Sequence, residues 1–235
     1  MTLVELLEWD SSFFGFPIGR VKDEIRTGQV ESAVREADER GIRCTYLLVP
    51  ADDQALLDAA QKHGFLVRDV RVELDRAVAG HATALNGLRH ADLQDLATLR
   101  PIARERFQRT RFFADPGFSA ERCADLYVEW LSRALRGEPG WKALMTEDAR
   151  GFIVCELNPQ SSVGAIVLIG VATSATRQGL GSSLVSGAGS LFLDASLLKA
   201  TVVTQGHNVA AQRLYQAHGY RISRVDYWLH RWMSH

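Results

Sequence analysis

From Val171 to Leu184 the chain reads Val-Ala-Thr-Ser-Ala-Thr-Arg-Gln-Gly-Leu-Gly-Ser-Ser-Leu, an order of residue types suited to holding a phosphate-like anion. The segment reads as a strand end, a glycine-containing turn and the opening of a helix. Gly179 and Gly181 let backbone N–H groups approach an anion with no side chain in the way. The helix that starts there adds unpaired N–H groups and partial positive charge. Such a turn suits a diphosphate, with Thr176, Arg177, Gln178, Gly179, Leu180, Gly181 and Ser182 as the candidate contacts. Asn208 and Tyr215 stand seven residues apart, two turns along one helix face, placed to work on the same ligand.

Side chains on one helix can be aimed only if flanking strands fix the helix, and the chain supplies such a frame twice. Cys44–Val49 reads as a strand, 53–62 as a helix stopped at His63-Gly64, and Phe65–Leu74 as a second strand. Ala200–Thr204, Asn208–Ala217, a stop at His218-Gly219 and Tyr220–Leu229 repeat the pattern. The strands are apolar or β-branched, both helices open at a polar cap, and both end at glycine. At a constant offset of 155 the copies align without a gap. Ala55, Gln61, His63, Gly64, Val70 and Leu74 then face the identical Ala210, Gln216, His218, Gly219, Val225 and Leu229, which predicts a duplicated unit. Asp53 stands where the second copy has Asn208, and Ala60 where it has Tyr215. The acidic Asp23-Glu24-Ile25-Arg26 stands where it has the glycine turn. The second copy kept the ligand device, and the first is left as a scaffold.

Ala79-Gly80-His81-Ala82 marks the expected boundary, giving an N-terminal domain of residues 1–80 and a second of residues 83–235. A strand at 88–92 leads into an amphipathic helix with Leu93, Leu96, Leu99, Ile102, Ala103 and Phe107 on its apolar face. Arg109 and Arg111 beside Phe112 suit a substrate diphosphate and its base, the cations for the anion and the ring for stacking. A solvated basic loop is the plain alternative. Trp9, Phe13 and Phe14 read as a packing hook. Glu121–Arg136 is a second helix, and Trp141–Thr146, Gly151–Leu157 and Val163–Val171 are strands of a meander. The fold class is α/β with a mixed sheet.

The 235 residues are 46% apolar and 23% charged, with a formal net charge of -1. That balance supplies no electrostatic reason for a nucleic-acid partner. No apolar run nears the roughly 20 residues of a membrane span. The start Met-Thr-Leu-Val-Glu lacks the basic and apolar stretches of a secretory signal, so a cytoplasmic location is expected. Cys44, Cys123 and Cys155 have no metal-type spacing and read as buried thiols, and no metal site is expected. The apolar strands near the C-terminus are compatible with a homodimer.

The order of strand, Val171, Arg177-Gln-Gly-Leu-Gly-Ser182, helix, strand, Asn208 and Tyr215 resembles the GNAT superfamily of acetyl-CoA-dependent N-acetyltransferases, over about residues 83–232. A narrower resemblance, over nearly the whole chain, is to the TDP-fucosamine (dTDP-4-amino-4,6-dideoxygalactose) acetyltransferase family. It rests on Trp9-Asp-Ser-Ser-Phe-Phe-Gly15, Arg111-Phe112 with Tyr127 and Trp130, Gly151-Phe-Ile-Val-Cys-Glu-Leu-Asn158 and Tyr227-Trp-Leu-His-Arg231. The resemblance implies a GNAT fold with a mixed, mostly antiparallel central sheet, preceded by a smaller, degenerate GNAT-like N-terminal domain. It implies acetyl-CoA as co-substrate and the amino group of a nucleotide-activated deoxyamino sugar as acceptor.

Under that resemblance the glycine turn holds the coenzyme pyrophosphate, although Thr176 replaces the usual Gln or Arg three residues before the first glycine, with Arg177 beside it. Backbone N–H groups near Ile169 and Val171 polarise the thioester carbonyl. Tyr215 protonates the leaving thiolate, and Asn208 both caps its helix and touches the coenzyme. Asp69 takes the position of a glutamate proposed as a base acting through water. It is one methylene shorter, and Glu73, solvent, or a plain ion pair with Arg68 or Arg71 remain as alternatives. An N-acetyltransferase of another small amine, such as an antibiotic or metabolite, and a non-catalytic acyl-CoA binder are the competing readings.

Overall fold

The computed structural model describes residues 2–80 and 85–233; His81, Ala82 and Thr83 of the expected boundary lie outside them. In chain order the helices are α1 (Glu8–Phe14), α2 (Val30–Glu39), α3 (Gln54–Lys62), α4 (Leu96–Arg106), α5 (Ala120–Leu135), α6 (Leu180–Asp194) and α7 (Val209–Ala217). The strands are β1 (Val4–Leu6), β2 (Ile18–Val21), β3 (Cys44–Pro50), β4 (Leu66–Ala77), β5 (Leu88–His90), β6 (Trp141–Thr146), β7 (Gly151–Asn158), β8 (Val163–Val171), β9 (Lys199–Gln205) and β10 (Arg221–Trp232).

Two compact units result, and neither is contiguous. One comprises Met1–Arg71, Arg109–Arg122 and Arg224–His235, the other Val72–Gln108 and Cys123–Ser223. This differs from the expected cut at residues 80–83, because strand pairing sends distant segments to each unit. In the first unit β1 pairs antiparallel with β2, and β2 parallel with β3. On the far edge of β3 lies β10, antiparallel, with Asp226 opposite Pro50 and Trp232 opposite Cys44. Val30, Ala33 and Ala37 of α2 meet Leu56 and Ala60 of α3, Phe65, and Val4, Val21, Leu47, Val49 and Leu229 from the strands in one core. The three- and four-residue spacing puts the α2 positions on one face, and each fully buried Val or Leu contributes about 1.5–3 kcal/mol.

In the second unit β6, β7 and β8 form the expected antiparallel meander, β5 pairs antiparallel with β6, and β9 joins β8 in parallel. The sheet pairing is therefore mixed and mostly antiparallel. Helix α6 lies close on the meander because it carries glycine: a Cβ on Gly187 would come within 2.7 Å of Leu88 and 2.9 Å of Leu144. Cys44, Cys123 and Cys155 are buried. Among the described residues no group of three or more His, Cys, Asp or Glu could hold a metal ion, and no helix is long and apolar enough to cross a membrane.

The offset of 155 reappears in the fold. Each boundary of β3, α3 and β4 lies 155 residues before the matching boundary of β9, α7 and β10, as 44 precedes 199 and 77 precedes 232. The caps match as well. Asp53 (φ -96°, ψ 74°) accepts from Leu56 N at 2.9 Å, and Asn208 (φ -85°, ψ 62°) from Ala211 N at 3.3 Å. Gly64 and Gly219 take left-handed φ values of 85° and 84° after their helices. In the first unit the last strand of the second copy lies beside β3, and in the second unit the last strand of the first copy lies beside β9. Each copy has given away its long strand.

Candidate active site

The second unit holds the anion-binding candidates. Its geometry starts from a strand pair that comes apart. The parallel register of β8 with β9 runs from Val163 and Lys199 to Ile166 and Val202, although β8 continues to Val171 and β9 to Gln205. On its other edge β8 stays paired with β7 as far as Val171. Ile169 and Val171 thus lie where β8 has parted from β9, and a parted edge offers main-chain donors and acceptors to a ligand.

Beyond Val171 a 3-10 turn at Thr173–Ala175 leads into an exposed loop, Thr176 to Gly179. Arg177 and Gly179 adopt left-handed φ of 61° and 83°, which turns the chain into α6. No side chain caps α6, and its first turn has no acidic residue. The first N–H groups of a helix have no intrahelical acceptor, so those of Leu180, Gly181 and Ser182 suit an incoming anion. The two glycines differ in purpose. A Cβ on Gly179 would meet nothing within 4 Å, so that position needs glycine for its φ; one on Gly181 would come 3.3 Å from Leu214 of α7. Some side chains expected at the ligand serve the loop itself. Thr176 Oγ1 donates to Thr173 O at 3.0 Å, and Gln178 accepts from Arg150 Nη1 at 2.8 Å and donates to Ser174 O at 3.2 Å.

Ser182 Oγ lies 2.7 Å from Nε2 of His218, which the sequence presents only as part of a helix stop. Tyr215 is the buried residue of α7, set edge-on to Tyr220 with ring centroids 6.0 Å apart. Burial, then the neighbouring Tyr220 and Cys155, push its hydroxyl pKa upward, so it stays a protonated phenol at neutral pH. Asn208 caps α7 through its side-chain oxygen, which leaves the amide nitrogen as a donor.

The first unit gathers a second polar cluster. Asp69 on β4 is half-buried; burial raises its carboxyl to about 6, against main-chain bonds from Val70 and Arg111 and the charge of Arg111. Arg68 forms an ion pair with Asp115 and Arg71 hydrogen-bonds Asp226, each at 3.1 Å. The Arg111 guanidinium lies 4.2 Å from the ring centroids of Tyr46 and Phe112 and 4.4 Å from that of Trp228. Its Nη1 is 2.8 Å from His230 Nε2.

Phe112 corrects an expectation. It is 4% exposed, between Arg111 and the rings of Phe14 and Phe118, so it is core and offers no face to a nucleotide base. Arg109 is exposed. Trp9 stacks on Phe13 at 5.2 Å but is itself exposed; of the expected packing hook it is Phe14 that meets Phe112 and Phe118. Sequence reasoning did not single out Asp10, Tyr46, Asp115 or His230. Burial raises the Asp10 carboxyl against the charge of Arg111, and the signals for Asp10 and His230 lay in the Trp9–Gly15 and Tyr227–Arg231 segments.

A model of the acetyltransferase (GNAT) family matches residues 99–220, just over half of the 235-residue chain. The chain is 27% identical over 179 residues to a curated protein named DNA ligase, from Magnetococcus marinus, covering 72% of this chain. It spans only 22% of the length of that relative. Among solved structures, a GCN5-related N-acetyltransferase from Sphaerobacter thermophilus is similar with a TM-score of 0.65 at 13% identity, over 97% of this chain and 76% of the other. A tandem GNAT protein from the clavulanic acid biosynthesis pathway reaches 0.57 at 11% identity, over 92% and 75%. At these identities the structural likeness is one of fold. With the parted strands, the glycine turn and α7 all inside the matched segment, the chain belongs to the acetyltransferase (GNAT) family.

Proposed function

We propose that the chain transfers the acetyl group of acetyl-CoA to the amino group of a nucleotide-activated deoxyamino sugar, by direct attack of the amine on the thioester. Acetyl-CoA is the co-substrate that GNAT acetyltransferases use. The observation that carries the reading is the uncapped, acid-free start of α6 behind the left-handed turn at Gly179, joined to the parted end of β8 by the loop after Val171. The coenzyme diphosphate is held by the N–H groups of residues 180–182, with Arg177 supplying charge and Asn208 a donor. Main-chain groups near Ile169 and Val171 polarise the carbonyl, and Tyr215 gives its proton to the departing sulfur. Asp69, largely ionised above its raised pKa of about 6, takes the amine proton through water.

The sugar-nucleotide acceptor is supported by the narrower resemblance. Three of its segments, those holding Phe14, Arg111-Phe112 and Trp228, come together in the first unit: Phe14 lies against Phe112 with centroids 5.5 Å apart, and Arg111 lies over Trp228. Exposed Arg109 suits an anionic substrate. The test is release of free CoA thiol when a panel of nucleotide-linked amino sugars is added with acetyl-CoA. Turnover is expected with at least one of them, and Tyr215→Phe should keep acetyl-CoA binding while losing roughly two decades of rate. Release with other amines alone would move the acceptor to another class; binding without release would leave an acyl-CoA binder; failure to bind acetyl-CoA would end the proposal.

A further inference from the structure

An ionised aspartate can only accept hydrogen bonds and an arginine can only donate them. Between two such residues of the first unit stands His230, fully buried, with Nδ1 2.7 Å from Asp115 Oδ2 and Nε2 2.8 Å from Arg111 Nη1. One state of the ring satisfies both contacts: a proton on Nδ1 and a lone pair on Nε2. The other tautomer sets a lone pair against the carboxylate and an N–H against the guanidinium, and a charged ring also sets N–H against N–H. Asp115 is itself fixed, accepting from Trp232 Nε1 and from Gly117 N at 3.0 Å and pairing with Arg68 at 3.1 Å. Burial favours its neutral form, yet bonds from His230, Gly117 and Trp232 hold its carboxyl at about 2. Burial lowers His230 to about 4, helped by Arg111 and Arg68 and opposed by Asp115.

A buried ionic chain of this kind is a poor device for stability alone, since apolar residues of similar volume commonly do as well. What it does here is aim a cation. Tyr46, Phe112 and Trp228 enclose the guanidinium. The charge of Arg111 opposes the burial that raises the Asp69 carboxyl. The titratable and charged groups facing this cation are Asp10 of α1, Cys44 and Tyr46 of β3, Asp69 of β4 and His230 of β10. We propose that Asp115 and His230 are positioning residues: they lock Arg111 through a hydrogen-bond polarity that admits one tautomer, and Arg111 in turn sets how readily Asp69 takes a proton. The consequence for catalysis rests on the reading of Asp69 as base; the relay itself does not.

Nitrogen-15 shifts of the His230 ring in the unaltered protein at pH 7 should show Nδ1 protonated and Nε2 bare. An Nε2–H tautomer or a charged ring would overturn the relay. The Asp69 carboxyl carbon is then titrated by NMR in the wild type, His230→Gln and Asp115→Asn. Release of Arg111 from its fixed position should raise the Asp69 midpoint by about half a unit or more, and an unchanged midpoint in either folded variant would also overturn the relay. Should neither variant fold, the wild-type tautomer decides. The acid limb of the pH–rate profile separates the two ideas: a limb that survives Asp69→Asn removes Asp69 from catalysis, while the relay still stands or falls by the NMR shifts.

Discussion

Asp69 shows how a candidate base loads a fold. Its carboxyl is raised from 3.8 to about 6, chiefly by burial. A group whose folded pKa lies above its unfolded value contributes fully at low pH and loses that contribution as pH climbs through the folded pKa. Each unit is worth about 1.4 kcal/mol, and solvent screening of this partly exposed group brings the total to about 1–2 kcal/mol. Asp69→Asn should therefore raise the melting temperature at pH 8 by about 2–8 °C, an advantage that narrows steadily from pH 6 towards pH 4. Melting curves across that range check it, and a variant equally destabilised at both ends would show that no such shift exists. The sequence could place Asp69 near Gly64-Phe65 but could not show its altered acidity. That shift comes from burial and is opposed by Arg111, which meets it only in three dimensions. Asp10 and His230 were hidden for the same reason, being gathered around Arg111 from segments far apart in the chain, and Asp115, near Arg111 in sequence, meets His230 only in the fold.

Helices α3 and α7 make a matched pair on which ligand binding and local stability can be separated. Both open at a side-chain cap of the same geometry and both stop at a His-Gly pair, so the interchange of Asp53 and Asn208 leaves the cap chemistry intact. These elements were readable because their signals are local: a polar cap, a helical apolar face and a terminal glycine. The strands at 141–146, 151–158 and 163–171 were readable for a like reason, being apolar runs bounded by turn residues. Asp53→Ala and Asn208→Ala should each cost about 1 kcal/mol in denaturant titrations, the usual loss for an N-cap. Only Asn208→Ala should also weaken acetyl-CoA binding in calorimetry. Equal loss of affinity in both would place the coenzyme contact elsewhere and make capping the whole role of Asn208.

Strand exchange is what the linear pattern could not convey. Local periodicity says that residues 44–49 and 220–229 are strands, but not that they pair, and a boundary near residue 80 looks natural on composition. The pairing overrides it: seven residues of β10, Asp226 to Trp232, lie opposite Cys44 to Pro50 of β3. Leu229 and His230 are fully buried in that arrangement, and Arg71 of β4 bonds the buried Asp226, its own counterpart under the offset of 155. A chain cut to residues 83–235 loses β3 and β4, leaving those seven residues without a ladder on that side and their buried groups in water. Unpaired edges of this kind invite aggregation. The segment 83–235 alone should thus lack the dispersed amide spectrum of a folded protein, and residues 1–80 alone, without Leu229 in their core, should be unfolded too. Co-expressed, the two pieces should associate and recover the dispersion. If residues 83–235 folded cooperatively by themselves, the exchanged strand would be an ornament on an autonomous domain, and the boundary at residue 80 would be the right one.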